Sequence, residues 1–530
     1  MECVWWVCAL VGFCTLIYVW RKRRFSLFKD LGIPGPEPNL FSGNMREFVT
    51  KGAAACYTQW IKEYGDVVGF YNGSIPFLII KDLDVVKRIQ IKDFGNFQAR
   101  GVLSLFGVYN RSARYSVFNT DADRWKELRS MLTPTFTSGK MKQMLGLLKS
   151  CTNEFLEALG NKEGNPFNIY DDFQRLTMDV IVRAAFGVEM DFQKGDETTT
   201  QARLLETAKE TVKPSIIPGI RLVMNCFSEL GILWRIFLFF FGWAFKQPVE
   251  DLTEDMETII QFRRANPQAK REDLLQLMLD ASVDSDEVVD VNKLEASYEN
   301  DSASTGSTDH RSTARKKRTL SNREIRANAT AFLIAGFETT STALVFTTYL
   351  LARHQDVQEK LRSEVLQAMS KEGEFTYEAI FGMKYMEQVF CESLRFYPPV
   401  VGFTTRTAST EYCRNGVRIP GGVGVVVPTY DLHHDPNFWS EPDSFDPERF
   451  APEKKAAIEP MAYQPFGGGP RNCVGMRFAQ LEAKLALAKM LANYRIYLDE
   501  SHHKGPLQYG STTILALPKG GVWVRVEKLS

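Results

Sequence analysis

The hydrophobic and polar pattern changes character several times along the chain. Residues 3–20, CVWWVCALVGFCTLIYVW, hold no charged side chain and are followed at once by Arg21, Lys22, Arg23 and Arg24. As a helix this run spans about 27 Å, close to a bilayer core of about 30 Å. A cleaved signal peptide carries its charge before the apolar run and small residues after it; here the order is reversed. The pattern predicts a signal-anchor over residues 1–24, with the basic side and the body in the cytosol. A hydrophobic helix buried in a core is the competing reading. Pro34-Gly35-Pro36 makes a stiff turn, so 25–40 reads as a linker and 41–530 as the body. Apolar positions at helical spacing mark 53–64 and 141–160, and FLIIKD at 77–82 reads as a strand. Helical patterns dominate from 120 to 400, and short strand-and-turn patterns return at 400–430 and 505–527.

Three stretches stand out from this background. GILWRIFLFFFGWAF at 231–245 is too short, and with Arg235 too charged, to span a bilayer; it reads equally as an element dipping into a membrane surface or as core. Residues 283–318 are acidic at first, then rich in Ser and Thr, and end in Arg315-Lys316-Lys317-Arg318. They read as a flexible, solvated loop between helices. Ser321-Asn322-Arg323-Glu324 is then a capping box that opens a helix running to about His354. That helix is long and carries Gly336 and the cluster Thr339-Thr340-Ser341-Thr342, poor helix formers that predict a local distortion lining a site.

Composition narrows the class. The chain has 530 residues, with 64 Lys plus Arg against 64 Asp plus Glu, so it carries no basic surplus for a nucleic-acid partner. With 44% hydrophobic and 24% charged residues it is globular, neither wholly disordered nor polytopic. Length alone suggests three or four domains at about 150 residues each. The nine cysteines are odd in number, widely spaced and without a C-x-x-C, which disfavours a disulfide framework or a structural zinc site. One cysteine is therefore free to be a thiolate. The pairs His433-His434 and His502-His503 read as loop residues.

The densest chemical signal is PFGGGPRNCVGMRFAQLEAKL at 465–485. Three glycines and a proline make a side-chain-poor loop that a flat cofactor can approach. Cys473 precedes an amphipathic helix, whose free N–H groups and dipole favour a thiolate. A lone thiolate against a planar ring is the chemistry of axial haem ligation; a nucleophilic or an inert cysteine would not explain the glycines, Phe466 and Arg471 together. The segment resembles the haem-binding signature F-x-x-G-x-R-x-C-x-G of cytochrome P-450 enzymes, filled by Phe466, Gly469, Arg471, Cys473 and Gly475.

Further motifs support that resemblance in order and spacing. Ala335-Gly336-Phe337-Glu338-Thr339-Thr340 is similar to the family's oxygen-activation motif and lies 134 residues ahead of Cys473, counted from Thr339. A mid-helix glycine makes room for a diatomic ligand, a hydroxyl can hydrogen-bond it, and a neighbouring carboxylate can relay a proton. Glu392 and Arg395 share a helix face at i, i+3, and that helix must end near Tyr397 before Pro398-Pro399. With Arg449 of Pro447-Glu448-Arg449-Phe450 they resemble the family's buried charged network, a structural role. Trp125 and Arg129 are one turn apart and resemble its propionate-binding pair; Arg471 and, more weakly, Arg406 resemble further propionate partners. The run Thr133–Lys140 resembles the drug-metabolising microsomal branch that also includes thromboxane synthase. The likeness covers about residues 30–527, although the 283–318 loop is longer and more charged than the family leads one to expect.

The resemblance implies a mainly α fold with small β-sheets, one large haem domain instead of three or four. It implies haem b (iron protoporphyrin IX) on the Cys473 thiolate, with Glu338 and Thr339 supplying and positioning protons in a monooxygenation. No flavin or nicotinamide fingerprint is present in the chain, so electrons come from a partner. The expected donor is NADPH–cytochrome P-450 reductase in the endoplasmic reticulum membrane, with cytochrome b5 as a further candidate and Lys126 as a candidate docking residue. Walls of a lipophilic substrate pocket are expected near Phe106, Phe118, Phe332, Ala335, Phe337 and Phe403, any of which could equally be core. The rival readings are a thromboxane-synthase-like isomerase of an endoperoxide, which needs neither reductase nor O2, and a non-catalytic haem sensor.

Overall fold

Amphipathic helical stretches account for most of the chain, and short runs of β-formers for the rest. The computed structural model describes residues 2–100, 113–120, 122–193, 200–212, 219–241, 248–282, 319–414, 416–511 and 514–529. The helices that position or flank the site are α1 (Glu2–Arg24), α2 (Ala122–Leu132), α3 (Ser138–Gly160), α4 (Ile169–Phe186), α5 (Thr200–Val212), α6 (Gly231–Phe241), α7 (Asn322–Arg353), α8 (Lys384–Phe396) and α9 (Met476–Asn493). The largest sheet contains β1 (Val67–Asn72), β2 (Ile75–Ile80), β3 (Thr405–Thr407) and β4 (Gly424–Val426), in the order β1-β2-β4-β3. β1 and β2 form a hairpin with Phe70 opposite Phe77, β4 runs parallel to β2, and β3 is antiparallel to β4 with Arg406 opposite Val425. This is the expected mainly α architecture with small sheets.

α7 is the central beam. Its predicted capping box is present: the Ser321 hydroxyl accepts from the Glu324 N–H at 3.4 Å, and a Glu324 oxygen accepts from the Ser321 N–H at 2.9 Å. The predicted distortion is not found; α7 is α-helical for all 32 residues. The Thr339 and Thr347 hydroxyls donate to the carbonyls one turn back, at 2.7 and 2.8 Å, so these polar side chains are satisfied on the helix itself. Packing on all sides then outweighs weak intrinsic propensity. Gly336 makes room for a neighbour: a Cβ there would lie 2.7 Å from Cδ1 of Ile181 on α4. One apolar core gathers α3, α4, α7, α8 and α9, and a second gathers α2, α4 and α7.

The N-terminal run is helical as predicted, with Trp5, Trp6 and Leu16 exposed. Among the described residues, the one helix long and apolar enough to cross a membrane is α7, and it is buried in the core. Arg21 is no solvated stop charge. It is 1% exposed; it donates to the carbonyls of Leu40, Phe41 and Cys226 at 2.8, 2.9 and 2.9 Å and pairs with Glu229 at 2.5 Å. Residues after it are docked too: Phe25 and Phe28 pack on Tyr71, and the Gly69 N–H donates to the Pro34 carbonyl at 2.9 Å. α6 exposes Ile232, Leu233, Ile236, Phe239, Phe240 and Phe241. Residues 242–245 and the expected loop 283–318 lie outside the described residues.

Candidate active site

The segment from Pro465 to Cys473 is bent by glycine. Gly467 and Gly469 take φ of +74° and +67°, where other residues are strained, and a Cβ on Gly469 would lie 2.0 Å from the Gln90 carbonyl oxygen. The loop closes through the Asn472 N–H to the Gly469 carbonyl and the Cys473 N–H to the Phe466 carbonyl, each 2.9 Å. That fold-back delivers Cys473 three residues before α9. Of the described cysteines, all free, Cys473 alone borders the internal cavity of about 600 Å³. Its exposure is exposure to that cavity, since protein encloses it elsewhere. Burial pushes the thiol up, against the opposing pull of the Gly475 N–H, Arg129 and Arg100. The helix start therefore does not by itself make a thiolate here, whereas a coordinated metal ion deprotonates a thiol outright.

Arginines surround the same cavity. Arg129 donates to the carbonyl and the side-chain oxygen of Asn472 at 2.7 and 2.6 Å, which ties α2 to the cysteine loop. Arg471 is buried, lies 4.3 Å over the Trp125 ring and donates to the carbonyls of Gln98, Val117 and Thr120 at 2.9, 3.3 and 3.3 Å. Arg406 donates to the Thr405 and Gly468 carbonyls at 2.8 and 3.1 Å. Arg100, which sequence reasoning missed, donates to the carbonyls of Phe403 and Arg471 at 2.8 and 3.0 Å and lies 4.1 Å over the Phe403 ring. All four arginines and Trp125 border the cavity. Burial lowers Arg406 to about 10; burial and then its arginine neighbours lower Arg471 to about 9 and Arg100 well down. Among the described residues no carboxylate pairs with Arg100, Arg406 or Arg471, and the Nε atoms of Arg100 and Arg406 are buried without a partner. Lys126, the candidate docking residue, is exposed on α2.

From α7, Ala335, Gly336, Thr339 and Thr340 reach the cavity. Glu338 does not border it; the Tyr170 hydroxyl and the Gln174 amide of α4 hold its carboxyl. The aromatic residues expected at the pocket come together: Phe118 lies 6.3 Å from Phe332 and 5.8 Å from Phe403, and Phe136 stacks on Phe332 at 5.8 Å. Phe337 belongs to the core, not the cavity wall, and Phe106 lies outside the described residues.

The charged network lies behind the cysteine loop. Arg395 donates twice to Glu392, at 2.7 and 2.8 Å, and also to the carbonyls of His433, Pro442 and Ser444 at 2.7, 2.9 and 3.2 Å. Arg449 stands 3.4 Å from Glu392. Burial pushes Glu392 up despite both arginines. His433 is not a loop residue. It ends a short helix, is fully buried, and burial lowers it to about 3, so its ring is neutral. Its Nε2 accepts from the Gln464 N–H at 2.9 Å, which leaves Nδ1 to donate to the Arg395 carbonyl at 3.2 Å. The histidine thus links the network to the residue just before the cysteine loop. His434 stacks on Tyr430, His502 stacks on Trp523, and Nε2 of His503 accepts from the Trp523 N–H.

Comparison with known proteins agrees with this geometry. The family model described as Cytochrome P450 matches residues 33–524. The chain is 33% identical to "Cytochrome P450 3A13" of Mus musculus over 488 residues, covering 91% of this chain and 89% of that protein. It is 35% identical to "Cytochrome P450 3A5" of Homo sapiens, covering 91% and 88%. It is 33% identical to "Lithocholate 6-beta-hydroxylase" of Mesocricetus auratus, covering 93% and 90%.

Proposed function

Because the chain belongs to the cytochrome P450 family, and is a haem-thiolate monooxygenase on that footing, we propose that it inserts one atom of O2 into a lipophilic substrate at the cavity beside Cys473. NADPH–cytochrome P450 reductase supplies the electrons, and cytochrome b5 is a second donor. When bound, haem supplies oxygen activation through its iron. The residues fit that group: a cavity-facing cysteine on a glycine loop, and the buried cations Arg100, Arg406 and Arg471, which have no carboxylate partner among the described residues. The last point carries the reading, because buried cations need an anion to stabilise them. In this reading Cys473, flanked by Phe466, Gly469 and Gly475, would hold the haem iron through its thiolate. Arg100, Arg129, Arg406, Arg471 and Trp125 would hold the haem carboxylates. Thr339 presents its hydroxyl to the cavity, Glu338 supplies protons from behind it, and Ala335, Phe118, Phe332 and Phe403 orient the substrate and exclude water. Glu392, Arg395 and Arg449 hold the segment that carries the cysteine loop.

The apolar run ending at Arg21–Arg24 anchors the protein in the endoplasmic reticulum membrane, with residues 41–530 as the cytosolic catalytic domain. The exposed apolar side chains of α6 support a second lipid contact at 231–245. The test is reconstitution in phospholipid with reductase. The reduced protein under CO is expected to show a thiolate-type Soret band that Cys473→Ala lacks, and NADPH and O2 are expected to be consumed with hydroxylation of lipophilic compounds. A Soret band retained in Cys473→Ala, or turnover of an endoperoxide without NADPH, overturns the assignment.

A further inference from the structure

Glu338 is 1% exposed and does not border the cavity, although its neighbour Thr339 does. Both carboxyl oxygens are engaged by α4: Oε1 by the Tyr170 hydroxyl, and Oε2 by the Gln174 side-chain N–H at 3.1 Å. From α5, Lys209 acts only through space, and it stands 3.4 Å from surface Asp171. From α7 itself, the Thr342 hydroxyl lies beside both Glu338 and Tyr170, buried and without an aligned hydrogen bond. Among the described residues no cation touches the carboxyl, so burial prevails over these donors and pushes it up to about 7. The Gln174 Nε2–H donates to Oε2, so in this arrangement the proton of the neutral acid sits on Oε1, facing the phenol oxygen. Burial beside Glu338 pushes the phenol up as well, so it remains protonated. Tyr170 is partly exposed in the first turn of α4, next to exposed Asp171, while its hydroxyl meets the carboxyl, so this residue touches both solvent and Glu338.

We propose that Glu338 is a proton store held out of the cavity by Tyr170 and Gln174, and that it is refilled from the surface through the Tyr170 hydroxyl instead of from the cavity. The proposal rests on the monooxygenase reading and adds two positioning residues to it. In one cycle the neutral acid swings toward Thr339 and gives its proton to an acceptor in the cavity, leaving a carboxylate. The returning carboxylate takes the phenol proton while the phenol oxygen takes one from surface water. One proton crosses from solvent to the cavity, and no electron moves.

The test uses the resting holoenzyme and its Tyr170→Phe, Gln174→Leu and Glu338→Gln variants, each checked by its reduced CO spectrum. Infrared titration is expected to show a carboxylic-acid C=O band that disappears around neutral pH and is missing from Glu338→Gln. Its midpoint moves upward by about one pH unit in Tyr170→Phe and in Gln174→Leu, because each lost donor favoured the carboxylate. In turnover, product formed per NADPH falls as pH rises through that midpoint, and heavy water slows Tyr170→Phe more than Gln174→Leu. A missing band, unmoved midpoints, or equal isotope effects in the two variants overturn the proposal. A wild-type protein that consumes no O2 with NADPH and reductase fails the monooxygenase reading instead, and the infrared titration still decides where the proton resides.

Discussion

Arg406→Met separates holding a cofactor from holding the fold. The Arg406 guanidinium is 2% exposed, and among the described residues its partners are the Thr405 and Gly468 carbonyls, with Nε left unpaired. Burial alone lowers it to about 10. A cation whose pKa is lowered in the folded protein costs stability at every pH below about 10, and the cost fades above it. At roughly 1.4 kcal/mol per tenfold change, the cofactor-free protein carries a penalty on the order of 3 kcal/mol at neutral pH. Removing the side chain also forfeits two hydrogen bonds, roughly 1 kcal/mol each. Cofactor-free Arg406→Met is therefore expected to be as stable as the parent or slightly more so, with methionine keeping much of the buried aliphatic volume. With haem present the sign reverses, since losing a charged hydrogen bond to a propionate costs about 1.5–3 kcal/mol, or about 10–150-fold in haem affinity. The assays are urea unfolding of the protein with and without haem, and the rate of haem transfer to a scavenger globin. Equal destabilisation of both forms would show that Arg406 supports the fold and not the cofactor.

Other consequences are open to direct measurement. Thr339→Ala, which removes the hydroxyl of a residue bordering the cavity, should raise peroxide released per NADPH about tenfold while Thr339→Ser stays near the parent; unchanged coupling in the alanine variant contradicts its proton role. Arg395→Met removes two hydrogen bonds from a fully buried Glu392, leaving Arg449 at 3.4 Å and the Asp446 N–H at 3.0 Å, and should cost about 3–5 kcal/mol in urea unfolding. Because burial already pushes Glu392 up, that loss should grow as pH rises from below its unfolded range, and the Glu392→Gln/Arg395→Met double variant should lose less than the sum of the single variants. Arg21→Met leaves Glu229 without its 2.5 Å partner and should expose the stretch after α1 to proteolysis at several times the parent rate; identical cleavage kinetics would mean the docking is not held by this arginine.

What could be read from the chain depended on how local each signal was. The cysteine loop, the capping box at Ser321 and the Glu392–Arg395 pair are short motifs whose members meet within one turn or loop, so spacing alone brings them together. The partners of Glu338 are 164 and 168 residues away at Gln174 and Tyr170, and no local pattern could place them there. Arg21 misled for a related reason. Four consecutive basic residues read as a solvated stop, but only the tertiary fold sets the Leu40, Phe41 and Cys226 carbonyls around one of them. Gly336 was legible as a position where space matters, yet the atoms nearest that space belong to Ile181. Poor helix formers predicted a local distortion in α7 because propensity is a local quantity, whereas the packing that keeps α7 helical throughout comes from α4, α8 and α9.

Charge makes the same point on the scale of the whole protein. Sixty-four cations balance sixty-four anions along the chain, and that equality argued against a general nucleic-acid binder without locating any site. The fold redistributes the balance. Arg395 and Arg449 find Glu392, Arg124 finds Glu324, and Arg263 finds Asp273. Arg100, Arg406 and Arg471 instead converge on one cavity, and among the described residues their hydrogen-bond and ring partners are carbonyls and aromatic rings. Buried cations lowered by burial, and at Arg100 and Arg471 by their arginine neighbours as well, are destabilising unless an anion arrives, so the local deficit of negative charge indicates the sign and position of the missing ligand. Cys473 borders the same cavity, and it asks for a cation at the sulfur where the arginines ask for anions at the rim. A single planar group with a metal at its centre and carboxylates at its edge answers both demands, and this convergence of opposite demands identifies the site more strongly than any one motif.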